Sequence, residues 1–302
     1  MLWLNDLLLW QPAKILATTR LQPMTQVSIS AKDVKRLRDM TGAGMMDCKR
    51  ALGEAGGDLD AAVDLLRKKG QRVAAKRADR EALQGLILTR ISDSGHTGII
   101  VEVNCETDFV ARNDEFDAFA NAVADLILSS RPADLDALLA LPFRNGRTVG
   151  EALTDLTGKI GEKLGIRRFS LLSVQEGQVI DYIHPGSRLG VLVTLSGTGS
   201  LEETGRNVAM QIAALNPLAA HRKNVPQTIQ DKEFEIGKEA ARLEGKPENL
   251  LDRIARGKLE RFFKDNVLVE QPFVKDASLR VRDVLKKAGA NVGEFVRCAL
   301  GE

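Results

Sequence analysis

The run Gly98-Ile99-Ile100-Val101-Glu102-Val103-Asn104-Cys105-Glu106-Thr107-Asp108-Phe109-Val110-Ala111-Arg112-Asn113 decides how the chain is read. Gly98-Ile99-Ile100-Val101 is β-branched and predicts a buried strand. Beyond the run, Phe116, Phe119, Ala120, Val123 and Ile127 recur every three or four residues, the spacing of an amphipathic helix over Asn113 to Leu128. The chain therefore leaves a sheet and enters a helix within about ten residues. Such junctions are where folds display functional groups. This one carries a carboxylate, Asp108, beside a large ring, Phe109. A solvated loop gains nothing from a phenyl group at its tip, so either the ring folds back into the core or it waits for a partner.

The same order of elements returns downstream. Leu86 to Ile91 is a strand pattern, Asp93-Ser94-Gly95 a turn, and Gly98 to Val103 the returning strand. Val179 to His184 then reads as a strand, Pro185-Gly186 as a turn, Gly190 to Leu195 as a strand, and Arg206 to Leu215 as a helix. Gly98-Ile99-Ile100-Val101-Glu102-Val103 aligns with Gly190-Val191-Leu192-Val193-Thr194-Leu195 at an offset of 92 residues. The expectation is one α/β unit used twice, as two sub-domains with antiparallel sheets. Where the first copy has Glu106 to Arg112, the second has Gly197-Thr198-Gly199-Ser200, so the display turn is an addition to the unit. A connecting helix is expected from Thr148 to Leu164, with Val149, Leu153, Leu156, Ile160 and Leu164 on one face. The second hairpin, Tyr182 to Gly190, holds His184, one of three histidines in the chain. No spacing pairs a histidine with Cys or Ser as a nucleophile needs, so His184 reads as a structural or contact residue.

Upstream lies a pattern of three short helices. Ser30 is a good N-cap, with Asp33 in the first turn, Val34, Leu37 and Thr41 on one face, and Gly42 as the stop. A second helix covers Met45 to Ala55, with Cys48, Ala51, Leu52 and Ala55 inward. Asp58 caps a third, with Ala62, Val63 and Leu66 inward and Gly70 at its end. Met45 and Met46 are adjacent and so point about 100° apart. The inward face takes Met45, and Met46 is pushed to the side, where a flexible thioether suits a binding surface. The basic run from Lys68 to Arg80 reads as a solvated linker helix.

Downstream, the chain turns charged and helical from Thr228. Phe234 and Ala241, then Leu250, Leu251, Ile254 and Phe262, with Glu244-Gly245-Lys246-Pro247 between them, predict a projecting antiparallel helical hairpin. A last helix around Arg280 to Ala288 and a strand from Val292 to Leu300 close the chain, the strand returning to the second sheet.

The chain has 302 residues, enough for several domains. Forty-three Lys and Arg face 41 Asp and Glu, a net charge of +2, which argues against bulk phosphate binding. Aromatics at 4% are too few for a base-stacking platform. Three cysteines without a CxxC spacing suit a reducing cytosol and argue against a disulfide framework or zinc knuckle. No apolar run reaches membrane-spanning length. Residues 1–23 carry both tryptophans but lack a basic start and a cleavage site. They are read as a leader outside the fold, with Met24 as the true start; an organelle presequence and a partner-binding tail remain the alternatives.

Asn104 to Asn113, NCETDFVARN, resembles the signature of the elongation factor Ts family, and TGAGMMDCKRAL from Thr41 to Leu52 is a second close match. Gly161 to Phe169, GEKLGIRRF, is similar to the family as well, and the resemblance runs from Ser28 to the C-terminus. It implies an α+β fold: a UBA-like three-helix module (24–80), two core α/β sub-domains (81–145 and 146–225), a protruding helical arm (226–270) and a C-terminal helix and strand (271–302). It implies a cytoplasmic, non-enzymatic guanine-nucleotide exchange factor for the GTPase elongation factor Tu, with no cofactor and no bound metal of its own. Thr107, Asp108, Phe109 and Val110 would disturb the partner's Mg²⁺ site. Arg38, Met45 and Met46 would touch its GTPase domain, and His184, Gly186 and Arg188 its third domain. No membrane or direct nucleic-acid partner is implied, and self-association is left open. Two rivals stand beside it: an enzyme using Cys105, which follows a strand but has no base placed by the motif, and an RNA-binding adaptor using the Lys68 to Arg80 run.

Overall fold

The computed structural model describes residues 29–199 and 201–302; the leader expected over 1–23 lies outside the described residues. The described chain is a mixture of helices and antiparallel sheet, and it forms two compact units that part after Leu65.

In the first unit, helix α1 (Ala31–Thr41) starts at Ser30, whose hydroxyl accepts from the Asp33 N–H. It stops at Gly42, which is left-handed at φ 66°. Helix α2 (Met45–Glu54) follows, then α3 (Leu59–Arg77), which continues into the second unit. Val34, Leu37, Cys48, Ala51, Leu52 and Ala62 are buried. Gly70 does not end α3, as its residue type suggested. It lies mid-helix, where a Cβ on Gly158 would come within 2.4 Å of the Gly70 Cα. The glycine serves close helix crossing rather than a C-cap.

The second unit opens with β1 (Gln84–Ile91) and β2 (Thr97–Cys105), then the single helical turn α4 (Asp108–Ala111) and helix α5 (Asp114–Ser130). Short α6 (Leu135–Ala140) and α7 (Val149–Ile160) lead to β3 (Gly165–Ser173), which pairs antiparallel with β2. Helix α7 is shorter than expected because Gly161 turns left-handed at φ 81°; Leu164 is buried from the loop that follows. Strand β3 lies within the span expected to form the second sub-domain, yet it completes the first sheet, β1-β2-β3. Its pattern, with Arg167 and Arg168 in the middle, hides the alternation, and a bulge breaks its register where Glu102 pairs with Arg168 and Val103 with Ile166.

The second sheet, β4-β5-β8, is built from β4 (Gln178–Ile183), β5 (Leu189–Gly197) and β8 (Ala290–Ala299), and α8 (Leu201–Leu215) packs on it. Helices α9 (Gln227–Leu243) and α10 (Glu248–Asn266) form the expected hairpin around buried Gly237, Ala241, Leu251 and Ala255. Leu250, one of the apolar residues that marked the returning helix, is exposed. Strands β6 (Pro272–Phe273) and β7 (Asp276–Arg280) and helix α11 (Val281–Lys287) lead into β8.

The two hairpins correspond position for position. Thr89 donates to Asp181, 92 residues away. The Ile87 N–H donates to Ser187 O at 2.7 Å, and at the same offset the Val179 N–H donates to Gly95 O at 2.8 Å. A Cβ on Gly85 would meet Val103 O at 2.0 Å, and one on Gly177 would meet Leu195 O at 2.0 Å. Three apolar layers result. Ile99, Val101, Val103 and Cys105 pack with α5, Val191, Val193 and Leu195 pack with α8, and Ile87, Ile100, Leu172, Val179, Leu192 and Cys298 fill the space between the sheets. Glu102 is fully buried in this third layer, where Arg168 Nε and Asn104 Nδ2 donate to it at 2.8 and 3.0 Å.

Candidate functional site

Strand β2 ends at Cys105, and the chain is caught twice before α5 begins. Glu106 accepts from the Lys163 N–H at 2.6 Å and from Arg77 Nη1 at 2.8 Å. Thr107 gives its N–H to Glu162 Oε2 at 3.1 Å and its hydroxyl proton to Glu162 Oε1 at 2.8 Å. With that proton directed at Glu162, the Thr107 oxygen accepts the Val110 N–H at 3.4 Å and caps α4. Val110 and Ala111 pack on the first core. Successive residues of a helix are about 100° apart, so a turn that seats Val110 inward throws its predecessor out. Phe109 is 81% exposed. Between the two readings open from sequence, the free chain has the ring in water.

Asp108 is exposed on the same turn and accepts from Arg112 Nη2 at 3.0 Å. A solvated pair of this spacing is worth only about 0.3–0.5 kcal/mol, so a partner can displace Arg112 at little cost. The turn therefore presents a fixed backbone, a solvated ring and an easily re-paired carboxylate.

Cys105, the candidate nucleophile of the enzyme reading, is fully buried and its sulfur donates to Thr107 O at 3.1 Å. Burial, and after it the Glu162 carboxylate, push the thiol up to about 12. That is the wrong direction for a thiolate nucleophile, and with the burial of the sulfur it weighs against the Cys105 enzyme reading. Among the described residues, no three His, Cys, Asp or Glu side chains are grouped as a metal ion would need, and no helix is long and apolar enough to cross a membrane. In the basic run, Arg77 is taken up by Glu106, and Lys163 Nζ donates to the carbonyls of Ala78 and Arg80 at 2.6 and 2.8 Å. These contacts bind the end of the run to the turn.

The second-hairpin residues lie at the same end of the first sheet. Arg188 donates to Gln84, whose register partner on β2 is Cys105. His184 is exposed, with its Nδ1 2.9 Å from the Tyr182 hydroxyl, and Gly186 makes the turn at φ 91°. Arg38, Met45 and Met46 belong to the first compact unit. All three are exposed, Met45 at 58% and Met46 at 68%. Met45 was expected inward. It is the first residue of α2, and its side chain slants toward the helix N-terminus, past the last turn that could cover it. Sequence reasoning did not single out Met40, exposed at 53% one residue before the end of α1, because an isolated methionine carries no pattern. It also missed Glu162, Lys163 and Arg77, which reach the turn across 55, 57 and 29 residues.

A family profile described as Elongation factor TS matches residues 106–302. The curated Elongation factor Ts of Prosthecochloris aestuarii is 47% identical over 284 residues, covering 90% of this chain and 99% of that protein. Elongation factor Ts of Chlorobium phaeobacteroides is 44% identical over 284 residues with the same coverage. The protein of that description from Cytophaga hutchinsonii is 46% identical over 277 residues, again 90% of this chain and 99% of its own length.

Proposed function

The chain belongs to the elongation factor Ts family, and from that premise we propose that it is a cytoplasmic guanine-nucleotide exchange factor for elongation factor Tu, with no chemical catalysis of its own. The observation that carries the reading is Phe109, 81% exposed beside Asp108 on a turn hydrogen-bonded in place. A protein that speeds nucleotide loss must bind the nucleotide-free partner more tightly than the loaded one, and the coupling is reciprocal. Mg²⁺ is a suitable point of attack, because its octahedral oxygen shell tolerates little displacement. In this reading the Phe109 ring wedges between partner side chains near the ion, Asp108 exchanges Arg112 for the displaced segment, and Thr107 and Val110 hold the turn. Arg38, Met45 and Met46 contact the GTPase domain, and His184, Gly186 and Arg188 lean on the third domain. The reading also treats the first three helices as a UBA-like head, the two hairpins as copies of one unit, and the α9–α10 hairpin as a protruding arm.

The test is a mixture of the chain with elongation factor Tu loaded with GDP, separated by size. A complex that has lost its nucleotide, and that excess GDP takes apart, is the expected result. No complex, or one that retains GDP in full, overturns the proposal.

A further inference from the structure

Two neighbouring residues of the α7–β3 loop grip two neighbouring residues of the display turn. The Glu162 side chain takes both protons that Thr107 can give, at 2.8 and 3.1 Å, while the Lys163 N–H binds the Glu106 carboxylate at 2.6 Å. Gly161 aims this loop: left-handed at φ 81°, it ends α7 and turns the chain toward the first sheet. The grip lies behind the turn. Asp108 and Phe109 are exposed, and the hydrogen bonds of Glu162 to this turn go to Thr107, not to either of those two side chains.

We propose that Glu162 is the positioning residue of the display turn: by accepting from Thr107 it locks the cap of α4 and so presents Asp108 and Phe109 in one orientation before any partner arrives. This rests on the function proposed above. The physical case is specific to Glu162. A threonine hydroxyl that turns its lone pairs to the helix N–H groups has its proton left for another acceptor, and an acceptor fixed in place holds the hydroxyl in the capping orientation. Glu162 is that acceptor, and a charged acceptor makes the stronger bond. A four-residue helix has few backbone hydrogen bonds to hold it, here Ala111 N–H to Thr107 O at 3.2 Å and those closing its last turn, so its order leans on the cap and on the packing of Val110 and Ala111. A turn ordered in advance spares the entropy of ordering an exposed ring at the moment of binding. The adjoining Glu106 and Arg77 pair fixes the strand end and leaves the cap to Glu162.

The test uses the full chain with Glu162→Ala and Glu162→Gln. Amide hydrogen exchange of the free protein is read by segment. Glu162→Ala should speed exchange over 106–112 at least tenfold and leave 98–104 unchanged. On elongation factor Tu, it should slow GDP release about tenfold in the otherwise native chain, and less than twofold in a chain already carrying Asp108→Ala and Phe109→Ala. Glu162→Gln keeps one acceptor and should recover most of the rate. Unchanged protection over 106–112, equal loss across 98–104, or full slowing in the double-variant background would each overturn the proposal. If the native chain itself fails to release GDP, the exchange-factor reading falls, while the hydrogen-exchange arm still decides whether Glu162 orders the turn.

Discussion

Replacing Phe109 by alanine separates a surface wedge from a core residue. A phenylalanine presents on the order of 200 Å² to its surroundings. With Phe109 81% exposed, most of that area is already in water in the free chain. The substitution should therefore change the stability of the free protein by no more than about 0.5 kcal/mol. Phe116, one helix turn beyond the same junction and fully buried, is the control. Phe116→Ala should cost about 3–5 kcal/mol from lost transfer and the cavity left behind. Against the partner the order reverses. Burying the exposed part of the ring has a ceiling of about 4 kcal/mol at 25 cal/mol per Å², and ordering costs reduce it. A loss of about 2 kcal/mol on Phe109→Ala, roughly thirtyfold in complex affinity, is the expected scale for a central aromatic contact. Denaturant melts of the free proteins and titrations against elongation factor Tu provide the two readouts. A Phe109→Ala chain that melts like Phe116→Ala, or that binds as tightly as the native chain, refutes the reasoning.

Three other perturbations test separate parts of the structure. Met46→Ala should weaken binding to elongation factor Tu by about 1 kcal/mol and leave the melting curve in place; a lowered melt with normal binding would make Met46 a core residue. Arg168→Ala strands the fully buried Glu102 carboxylate, and the loss should be about 3 kcal/mol. That is the low end for a broken buried pair, because the Arg168 side chain is 39% exposed; a denaturant midpoint equal to native would show that the burial of Glu102 does not depend on Arg168. Burial alone would raise the Glu106 carboxyl, but the Lys163 N–H and then Arg77 outweigh it and hold the group below the usual carboxylate range. A lowered folded-state value stabilises fully above the unfolded value of about 4.3 and is lost as pH falls below it. The stability gap between native and Glu106→Gln chains should therefore be constant from pH 7 to pH 5 and narrow toward pH 3; a gap that widens in acid contradicts the assignment.

Much of this architecture can be read from local pattern. Ser30, Gly42 and the continuous β-branched run of 98–103 act over a few residues, and such signals survive in a single sequence. The 92-residue correspondence is also visible, since Gly98 and Gly190 each need an absent Cβ: one on Gly98 would meet Val179 Cγ1 at 2.6 Å, and one on Gly190 would meet Ile87 Cγ2 at 2.7 Å. Strand β3 was not legible because its arginines break the apolar pattern. One of them, Arg168, is there to neutralise Glu102 on the neighbouring strand, a reason that exists only after the sheet has formed. Gly70 misled for a related cause: a helix-stopping glycine and a helix-crossing glycine are the same letter. At the display turn, the sequence offers Asp108 and Phe109 as candidates but does not say which way the ring points. That outcome depends on Val110 being seated in the core and Thr107 being held by a carboxylate 55 residues away.

The most direct test of the central claim is stopped-flow release of a fluorescent GDP from elongation factor Tu, with the native chain and with the Asp108→Ala and Phe109→Ala chains, each in Mg²⁺ and in excess chelator. If the display turn acts by disturbing the ion, the native chain accelerates release many-fold in Mg²⁺, both variants lag behind it, and the chelator closes most of the gap because the step they assist is already complete. Release at the native rate by both variants in Mg²⁺ would contradict the assignment of the turn, and a lag that chelation leaves untouched would contradict the magnesium mechanism.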